Sequence, residues 1–450
     1  SVNIISYKLK IMKPIYVGLL GIGTVGSGTF SVLKRNQAEI SRRAGRDIII
    51  KVIADQDIEK AKKIAGNNIL ISPDANDVIA DPDIDIVVEL IGGYVAAKEL
   101  TLKAIENGKH IVTANKALLA YHGTEIFSAA QRKGVMVAFE AAVAGGIPII
   151  KALREGLTGN QIEWIAGIIN GTGNFILSEM RDKGLSFESV LSQAQKLGYA
   201  EADPTFDIEG IDAAHKITIM ASIAFGIPVQ FDKVYTEGIT KLTGEDINYA
   251  EELGYRIKLL GITKRTPKGI ELRVHPTLIP SQRLIANVEG VMNAVVVKGD
   301  AVGPTLYYGA GAGSEPTASS VVADLIDITR MHTSDQRNRV PYLAFQPDLL
   351  LDTPILSMDE VETSYYLRLN VLDRPGVLAE ITRILAELGI SIGAMVQKEP
   401  NEDEDHVSII VLTHLSIERN INMAITKIES LSSVIGRIIR IRLEELGNGH

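Results

Sequence analysis

The stretch "PIYVGLLGIGTVGSGTF" (residues 14–30) places an apolar run directly before three spaced glycines. The apolar run predicts a buried strand, and the residues after it predict a helix that ends at about Arg43. Gly21 permits a tight turn, Gly23 lets a pyrophosphate approach the backbone, and Gly26 allows the helix to pack closely on the strand. A turn that is only structural remains the alternative. The predicted dinucleotide contacts are Gly21, Ile22, Gly23, Thr24, Val25 and Gly26.

A second apolar run, "DIIIKVIAD", predicts the next strand and ends at Asp55. A carboxylate at this place can accept hydrogen bonds from the adenosine ribose and would repel a 2′-phosphate. No arginine follows within "ADQDIEK". The sequence therefore predicts NAD as the preferred cofactor, or use of both NAD and NADP. The alternative is that Asp55 only caps the following helix.

The chain of 450 residues is long enough for about two to four domains. Alternating strand and helix signals over residues 13–145 predict a Rossmann-type domain with a parallel sheet, completed by a helix near residues 317–330. Residues 146–316 are predicted to form a second α/β domain, and residues 331–361 a linker. Residues 362–445 follow a βαββαβ order, which predicts a ferredoxin-like domain.

Composition excludes several classes of protein. A formal net charge of −9 without a lysine or arginine cluster argues against a nucleic-acid partner. The absence of cysteine excludes disulfides and a cysteine nucleophile, and the eight histidines lack metal-ligand spacing. No apolar run is long enough to cross a bilayer, so no membrane partner is expected. Residues 1–12 lack signal-peptide features and are interpreted as an extension before a natural start at Met12, so a cytoplasmic location is expected.

The stretch "GYAEADPTFDIEGIDAAHK" (residues 198–216) concentrates carboxylates ahead of a lysine that begins an apolar helix. Asp212 and Lys216 are four residues apart, so they share one helix face. If that face lines a cleft, desolvation and charge can tune Lys216 for proton transfer; a solvated ion pair is the plainer alternative. Glu201 and Asp207 lie in the proline-containing loop before the helix and can hold an ammonium group, which predicts an amino-acid substrate.

Four blocks of the sequence resemble the homoserine dehydrogenase family. The pattern A-x3-G-Y-A-E-A-D-P-x2-D-I-x-G-x-D-x3-K fills every fixed position over residues 194–216. Three further blocks also match: "GIINGTGNFIL" (167–177), "TANKALLA" (113–120) and "GAGAGSEPTASSVVADL" (309–325). The blocks occur along the chain in the order expected for the family, and the resemblance covers about residues 13–330. It implies reversible reduction of L-aspartate 4-semialdehyde to L-homoserine with NAD or NADP, as part of threonine, methionine and isoleucine biosynthesis.

The resemblance also implies the catalytic residues. Lys216 would donate the proton to the aldehyde oxygen, with Asp212 beside it in the catalytic pair. Lys116 would lie between cofactor and substrate, unless it is only an exposed loop lysine. Gly92 and Lys116 are expected to contact the cofactor. The domain over residues 146–316 would serve both catalysis and dimerisation.

The same resemblance implies the residues that bind the substrate. Glu201 and Asp207 would hold it, helped by Thr172 and Tyr199. Tyr199 could equally be a packing aromatic.

A loop with the sequence "EAAVAGGI" resembles the family's monovalent-cation site. Backbone carbonyls of Glu140, Val143, Gly145 and Ile147 would bind sodium there. An uncoordinated glycine-rich connector is the alternative.

The tail resembles the ACT regulatory domain through "LDRPGVLAEITRIL" (372–385). In such domains the strand–helix junction, here Asp373 and Gly376, binds an amino acid at a helix N-terminus. Threonine, as a pathway end product, is the expected effector. ACT domains usually pair, so a homodimer or homotetramer is expected; a pairing module that binds no ligand is the alternative.

The sequence disfavours two other enzymes and one non-enzyme. A 2-hydroxyacid dehydrogenase would need a histidine in a histidine–carboxylate pair, and no histidine here has that context. Aspartate semialdehyde dehydrogenase acylates a cysteine, which this chain lacks. A sensor built on an inactive enzyme fold is disfavoured by the intact set of Lys116, Asp212 and Lys216.

Overall fold

The computed structural model describes residues 13–398 and 405–447. The chain forms two compact units, each assembled from three segments. The first comprises the described residues of Ser1–Ile165, His215–Asp232 and Met292–Asp352, and the second comprises those of Ala166–Ala214, Lys233–Val291 and Thr353–His450. The expected extension, residues 1–12, lies outside the described residues. These units group residues that pack together. They do not test the domain boundaries expected from the sequence, which stay predictions.

A parallel sheet of six strands forms the centre of the first unit. Its strands are β1 (Ile15–Leu20), β2 (Ile48–Ala54), β3 (Leu70–Ser72), β4 (Ile86–Glu89), β5 (His110–Thr113) and β6 (Val137–Ala138). Their spatial order is β3-β2-β1-β4-β5-β6. Because this order reverses direction between β1 and β4, a crevice forms at the carboxyl ends of these two strands. This is the Rossmann-type arrangement that the sequence predicts.

Helices at residues 24–35, 37–44, 58–65 and 314–331 share one apolar core with this sheet, and three further helices belong to the same unit. These helices are α1 (Thr24–Arg35), α2 (Gln37–Ala44), α3 (Ile58–Ala65), α4 (Ala75–Ala80), α5 (Val95–Glu106), α6 (Lys116–Lys133) and α13 (Ser314–Met331). The single helix predicted to end at about Arg43 is wrong: α1 and α2 are separated at Asn36, a residue of weak helix propensity. A Cβ at Gly28 would lie only 2.5 Å from the carbonyl oxygen of Ser314, so α1 and α13 are in close contact.

The first unit also contains a short helix and a β-hairpin. Helix α7 (Ile149–Lys151) continues as a π-helical turn over Ala152–Gly156. Strands β11 (Met292–Gly299) and β12 (Gly303–Ala310) pair antiparallel. The hairpin leads directly into α13.

The second unit joins helices to a long hairpin. Its helices are α8 (Gly171–Lys183), α9 (Phe187–Lys196), α10 (Thr205–Ile208) and α12 (Gly244–Glu252), and its strands include β8 (Tyr235–Thr236), β9 (Tyr255–Thr266) and β10 (Gly269–Pro280). Strands β9 and β10 pair antiparallel along their full length. Strand β7 (Ile162–Ile168) and helix α11 (Ile211–Phe225) each contain a boundary between the two units.

The C-terminal part of the second unit has the predicted βαββαβ order, with an additional two-residue strand before its second helix. Its elements are β13 (Glu362–Leu372), α14 (Val377–Glu387), β14 (Ile392–Gln397), β15 (His406–Thr413), β16 (Ser416–Ile417), α15 (Glu418–Glu429) and β17 (Val434–Leu443). The main sheet runs in the order β17-β13-β15-β14 and has its own apolar core. Strand β17 also pairs in parallel with β10, through Thr277 with Arg442 and Leu278 with Leu443. The sequence did not predict this pairing.

Buried ion pairs accompany the pairing of β10 with β17. Arg442 lies between Glu237 at 2.9 Å and Glu418, and Arg273 lies between Glu271 at 2.8 Å and Glu444 at 2.6 Å. Both arginine side chains are 1 % exposed. Removing one partner of such a pair leaves an uncompensated buried charge, at a cost of about 3–5 kcal/mol.

A second buried contact joins β13 to α12. Asp246, which is fully buried, accepts hydrogen bonds from the Tyr366 hydroxyl at 3.0 Å and from the Arg368 guanidinium at 2.6 Å. The ferredoxin-like domain is therefore held to the rest of its unit by buried polar bonds as well as by strand pairing.

Among the helices of residues 13–398 and 405–447, none is both long enough and apolar enough to cross a membrane.

Candidate active site

The glycine turn after β1 has the geometry that a dinucleotide pyrophosphate needs. Gly21 adopts a φ of 93°, and a Cβ there would lie 2.8 Å from the Leu90 carbonyl oxygen. A Cβ at Gly26 would lie 2.2 Å from the Gly21 carbonyl oxygen, so α1 packs directly on the turn. Gly23 is different, because a Cβ there would meet no described atom within 4 Å. Gly23 immediately precedes α1, so this open space at a helix N-terminus fits a phosphate group.

The Asp55 carboxylate is hydrogen-bonded to this turn and does not cap the N-terminus of the next helix. Its carboxylate accepts hydrogen bonds from the backbone N–H of Ile22 at 2.7 Å and of Asp57 at 2.8 Å. The residue that caps α3 is Asp57, whose carboxylate accepts from the N–H of Lys60, so the capping alternative for Asp55 is wrong. A carboxylate has about four acceptor positions. Asp55 therefore keeps free acceptor positions for a ribose while it is held beside the turn.

A buried carboxylate, Glu89, connects the carboxyl ends of β4 and β5. It accepts a hydrogen bond from the Thr113 hydroxyl at 2.7 Å and another from the backbone N–H of Ile91 at 2.9 Å. Burial raises the pKa of Glu89 to about 7. Glu89 is 1 % exposed, and its two hydrogen bonds link the ends of β4 and β5.

We expect Glu89→Gln to make stability less dependent on pH. Because the folded pKa of Glu89 lies above its ordinary value of 4.5, its favourable contribution is complete below about pH 4.5 and is lost as pH rises through about 7. Glutamine cannot ionise, so the variant should lose less thermal stability than the wild type between about pH 5 and about pH 8. Thermal unfolding measures this, with Glu99→Gln on the exposed face of α5 as control. Identical pH profiles for wild type and Glu89→Gln would contradict the assignment.

Lys116 is the first residue of α6 and lies at the same edge of the sheet. The preceding residue, Asn115, caps α6 and donates its side-chain amide to the Gly93 carbonyl at 2.6 Å. This bond holds the loop that contains Gly92 against the start of α6. The structure thus brings Gly92 and Lys116 together, and Lys116 is half-buried, not fully exposed.

Four aromatic rings, one of them that of His215, pack together in the first unit. Tyr94, in the loop after β4, stacks on Tyr121 of α6 with ring centroids 4.7 Å apart. Tyr121 meets His215 of α11 at 5.4 Å, and His215 meets Phe231 at 4.4 Å. Lys216 follows His215 directly and is 8 % exposed. Ring packing therefore places this part of α11 beside the helix that begins with Lys116.

In the second unit, one amide holds two of the predicted carboxylates together. The side-chain N–H₂ of Asn170 donates to Asp207 at 2.8 Å and to Asp212 at 2.9 Å. The Asn170 oxygen accepts from the N–H of Gly173 at 2.7 Å and so caps α8. Asp212 is 4 % exposed and Asp207 is half-buried. With both amide hydrogens used, Asn170 is fixed in one orientation and holds the two carboxylates close to each other.

Thr172, Tyr199 and Glu201 lie on the more exposed side of the same unit. The Thr172 hydroxyl donates to the Tyr199 carbonyl at 2.7 Å, and the Tyr199 ring meets Phe175 edge-on at 5.0 Å. Tyr199 is therefore a packing aromatic, although 44 % of it stays exposed and available to a ligand. Glu201 is exposed, and its carboxylate forms no ion pair with the described residues.

The loop predicted to bind a cation forms a compact turn. Ala144 adopts a φ of 57° and Gly145 a φ of 45°. The Gly145 carbonyl accepts a hydrogen bond from the Ser320 hydroxyl at 2.6 Å, and the Ile147 carbonyl accepts one from the N–H of Ile149 at 2.8 Å. A carbonyl oxygen has a second lone pair, so these bonds leave one acceptor position on each oxygen for a cation.

Glu140 takes part in this loop through its side chain. Its carboxylate accepts from the backbone N–H groups of Ile150 and Lys151 at 2.9 and 2.8 Å, and its carbonyl accepts only a long bond of 3.4 Å from Val143. Burial and then the nearby Asp324 raise the pKa of Glu140 to about 7. No metal-binding cluster of three histidine or acidic side chains occurs in the described part of the chain. Any cation here would therefore depend on carbonyl oxygens.

The predicted effector residues lie at the start of α14. Gly376 precedes the helix with a φ of 94°, and a Cβ there would meet no described atom within 4 Å. The N–H of Asp373 donates to the Asp405 carbonyl at 3.0 Å. The junction has the open glycine turn that the resemblance implies.

Sequence reasoning missed several residues that organise the site. Asn170 stands directly before "GTG" at a helix start, and asparagine is a favoured N-cap, so its cap could have been predicted. Its bonds to Asp207 and Asp212 could not be predicted. Glu89 and His215 gave no signal either, because each lies within a largely apolar stretch.

Together, the strand order, the glycine turn and the ferredoxin-like tail define a nicotinamide-dependent oxidoreductase with a regulatory type of domain. Residues 21–140 match the family "Homoserine dehydrogenase, NAD binding domain", residues 148–326 match "Homoserine dehydrogenase", and residues 365–432 match "ACT domain". The chain belongs to the homoserine dehydrogenase family. It is an NAD(P)-dependent oxidoreductase that acts on a CH–OH group and interconverts L-aspartate 4-semialdehyde and L-homoserine.

Relatives match along almost the whole chain. Homoserine dehydrogenase from Pseudomonas aeruginosa is 65 % identical over 435 residues, which is 97 % of this chain and 100 % of the relative. The crystal structure of a homoserine dehydrogenase from Thiobacillus denitrificans has a TM-score of 0.93 at 68 % identity and covers 97 % of this chain and 99 % of its own. A hyperthermophilic archaeal homoserine dehydrogenase in complex with NADPH has a TM-score of 0.61 at 25 % identity, over 72 % of this chain and 100 % of its own.

Proposed function

We propose that Lys216 is the general acid of the aldehyde reduction and that Asp212 completes the catalytic pair. The observation that supports this is the amide of Asn170, which holds Asp212 and Asp207 together one helical turn before the buried Lys216. A cationic side chain stabilises the negative charge that develops on the aldehyde oxygen and then neutralises it by proton transfer. In homoserine oxidation, the same lysine removes the hydroxyl proton.

The residues around the glycine turn hold the cofactor in this proposal. The N–H groups at the start of α1 bind the pyrophosphate beside Gly23, and Asp55 accepts hydrogen bonds from the adenosine ribose. When bound, the reduced nicotinamide supplies the hydride that the carbonyl carbon accepts. Lys116, fixed at the start of α6 near Gly92, orients the reacting groups and adds positive charge beside the forming alkoxide.

Carboxylates of the acidic loop, which comprises residues 198–210 and includes the one-turn helix α10, hold the substrate. Asp207 is fixed by Asn170 and accepts hydrogen bonds from the substrate ammonium group, and Glu201 adds a second, more exposed carboxylate. Thr172 and the exposed part of Tyr199 contact the rest of the amino acid. Binding of a zwitterion by fixed charges keeps its aldehyde carbon in one position, which is the geometric requirement for transfer.

The experiment that tests this function uses the purified full chain with L-homoserine and either NAD or NADP. We expect reduced nicotinamide cofactor to form when homoserine is present, and the absorbance of the reduced cofactor measures its formation. If no reduced cofactor forms with NAD or with NADP, the proposed function is contradicted.

We further propose that NAD is preferred because of Asp55. Replacing Asp55 by alanine removes hydrogen bonds to the ribose, and each such bond to a charged acceptor is worth about 1.5–3 kcal/mol. We therefore expect the ratio of kcat/KM for NAD to kcat/KM for NADP to fall about tenfold or more. Asp57→Asn is the control, because it removes a charge two residues away and keeps an N-cap residue on α3. A ratio unchanged by Asp55→Ala, in a variant with normal thermal stability, would remove Asp55 from cofactor selection.

A monovalent cation such as sodium is proposed at the carbonyls of Glu140, Val143, Gly145 and Ile147. A ligand that binds only the folded protein raises its thermal unfolding temperature. We therefore expect a higher unfolding temperature in sodium chloride than in tetramethylammonium chloride at equal ionic strength. Equal temperatures would argue for an uncoordinated loop.

We propose a cytoplasmic homodimer or homotetramer that is regulated by an amino acid, with threonine as the expected effector. The match of residues 365–432 to the ACT family supports the regulatory role. Light scattering of the purified chain gives the oligomeric state. A monomeric mass would contradict the assembly.

A further inference from the structure

A cavity of about 310 Å³ lies within the second unit, against the ferredoxin-like domain. Helix α15 and strand β17 form one side, and residues 237–242 form the other. Small-molecule sites in proteins span about 300–1,000 Å³, so the cavity suits a small ligand. None of the residues that line it belongs to the candidate active site or to the Asp373–Gly376 junction.

The cavity is lined by side chains of both charges and by apolar side chains. Lys241, Arg437 and Arg440 supply cations, whereas Glu237 and Glu429 supply carboxylates. Leu242, Ile425 and Ile438 add apolar surface between them. This set matches a free α-amino acid, which carries one carboxylate, one ammonium group and a side chain.

Two of the cations are available to a ligand carboxylate. Lys241 is exposed and forms no ion pair with any residue that the structure describes. Arg437 is 89 % exposed and pairs at 3.1 Å with Glu429, whose side chain is 17 % exposed. An ion pair with so exposed a cation is screened by solvent and contributes little stability. Glu429 itself is held in place by the backbone N–H of Ile438 at 2.8 Å, so its carboxylate is already oriented.

Residues 237–242 also contact the acidic loop, at the end of the short helix α10 that contains Asp207. A Cβ at Gly238 would lie 2.4 Å from the Ile208 carbonyl oxygen, and the N–H of Ile239 donates to that same oxygen at 2.9 Å. The Thr240 hydroxyl donates to Glu209 at 3.1 Å. One short segment therefore borders the cavity on one side and the acidic loop on the other.

We propose that this cavity is a regulatory site for a free amino acid with a short uncharged side chain. Lys241 and Arg437 bind its carboxylate, and Glu429 binds its ammonium group. The bound amino acid restrains residues 237–242 and, through Ile208, the position of Asp207, so it changes the KM for homoserine. The effect on KM rests on the proposed role of Asp207 in substrate binding, whereas the binding itself does not. Couplings between sites of this kind are typically about 5–150-fold.

The test uses isothermal titration calorimetry on the full chain without substrate, with L-threonine, L-valine and L-isoleucine as probes. We expect at least one probe to bind and to raise the homoserine KM about fivefold or more. Thr426→Trp fills the cavity from an exposed position of α15. This change and Lys241→Met should each weaken binding in the cavity at least about tenfold, and kcat in the absence of the probe should stay unchanged. Asp373→Asn, at the other candidate effector site, should still bind at least one probe, and adding Thr426→Trp or Lys241→Met to Asp373→Asn should weaken that remaining binding at least about tenfold.

Three results would overturn the proposal. These are no binding of any probe to the wild type, no binding of any probe to Asp373→Asn, and binding to Asp373→Asn that is unchanged by adding Thr426→Trp or Lys241→Met. Failure of the proposed function is seen separately, as absent homoserine oxidation without any probe. The two failures are therefore distinguishable.

Discussion

Replacing Lys216 by methionine should lower kcat for homoserine oxidation by about 10²–10⁴-fold while the Kd for NAD changes little, because positioned proton transfer commonly accounts for a factor of that size. Methionine has a similar length and no charge, so it fills the same buried space on α11. His215 should keep its contacts with Tyr121 and Phe231, which maintain the helix in place. The loss should therefore come from chemistry and not from folding.

Steady-state rates and a fluorescence titration of NAD measure the two quantities for Lys216→Met. Lys196→Met is the matched control, because Lys196 lies exposed at the end of α9 and carries no proposed role. The control should retain wild-type kcat. Comparable kcat values for Lys216→Met and the wild type would exclude Lys216 as the general acid.

The second large effect is expected for Asp212→Asn, with kcat about a hundredfold lower. The change keeps the size of the side chain and removes one buried negative charge from the face that also carries Lys216. Loss of a buried charged interaction costs about 3 kcal/mol, which corresponds to about a hundredfold in rate. Asn170 can still donate to the oxygen of the new amide, so α8 and α11 should keep their structure.

Asp207→Asn separates substrate binding from chemistry. Both carboxylates accept from Asn170, but only Asp207 is assigned to the substrate ammonium group. We expect Asp207→Asn to raise the homoserine KM about tenfold with a smaller change in kcat, the reverse of Asp212→Asn. Asp203→Asn, an exposed change in the same loop, is the control. The same pattern of kcat and KM in both variants would contradict separate roles.

The parts of the fold that local chemistry specifies were predictable from the sequence. Gly21, Gly23 and Gly26 each have a separate steric reason in the structure, and those reasons follow from their spacing. The βαββαβ order of the tail was also predictable, because its strands and helices have clear apolar periods. The break at Asn36 was not, since one residue of weak propensity seldom decides where a helix ends.

Contacts between residues distant in sequence could not be predicted. Strand β17 pairs with β10, and the pairing depends on which strand edges remain available after each part has folded. The bonds from Asn170 to Asp207 and Asp212 likewise exist only because the start of α8 lies against the acidic loop. Sequence periodicity contains no information on either contact.

These long-range contacts also affect how regulation can be tested. A shortened chain that ends near Asp359 would remove Arg368 from the buried Asp246 and Glu444 from the buried Arg273. Each loss leaves a charge without its partner at a cost of about 3–5 kcal/mol. Lost inhibition in such a chain would therefore report damage as well as loss of an effector site, and point substitutions in the full chain are the better test.

A crystal structure of the full chain with NAD and homoserine bound tests the central claim most directly. We predict that the Lys216 Nζ lies within about 2.6–3.2 Å of the homoserine hydroxyl oxygen, the distance that proton transfer requires. Asp207 should contact the ammonium group of the same molecule. A homoserine hydroxyl bonded to another side chain, with Lys216 out of reach and without a bridging water, would contradict the mechanism.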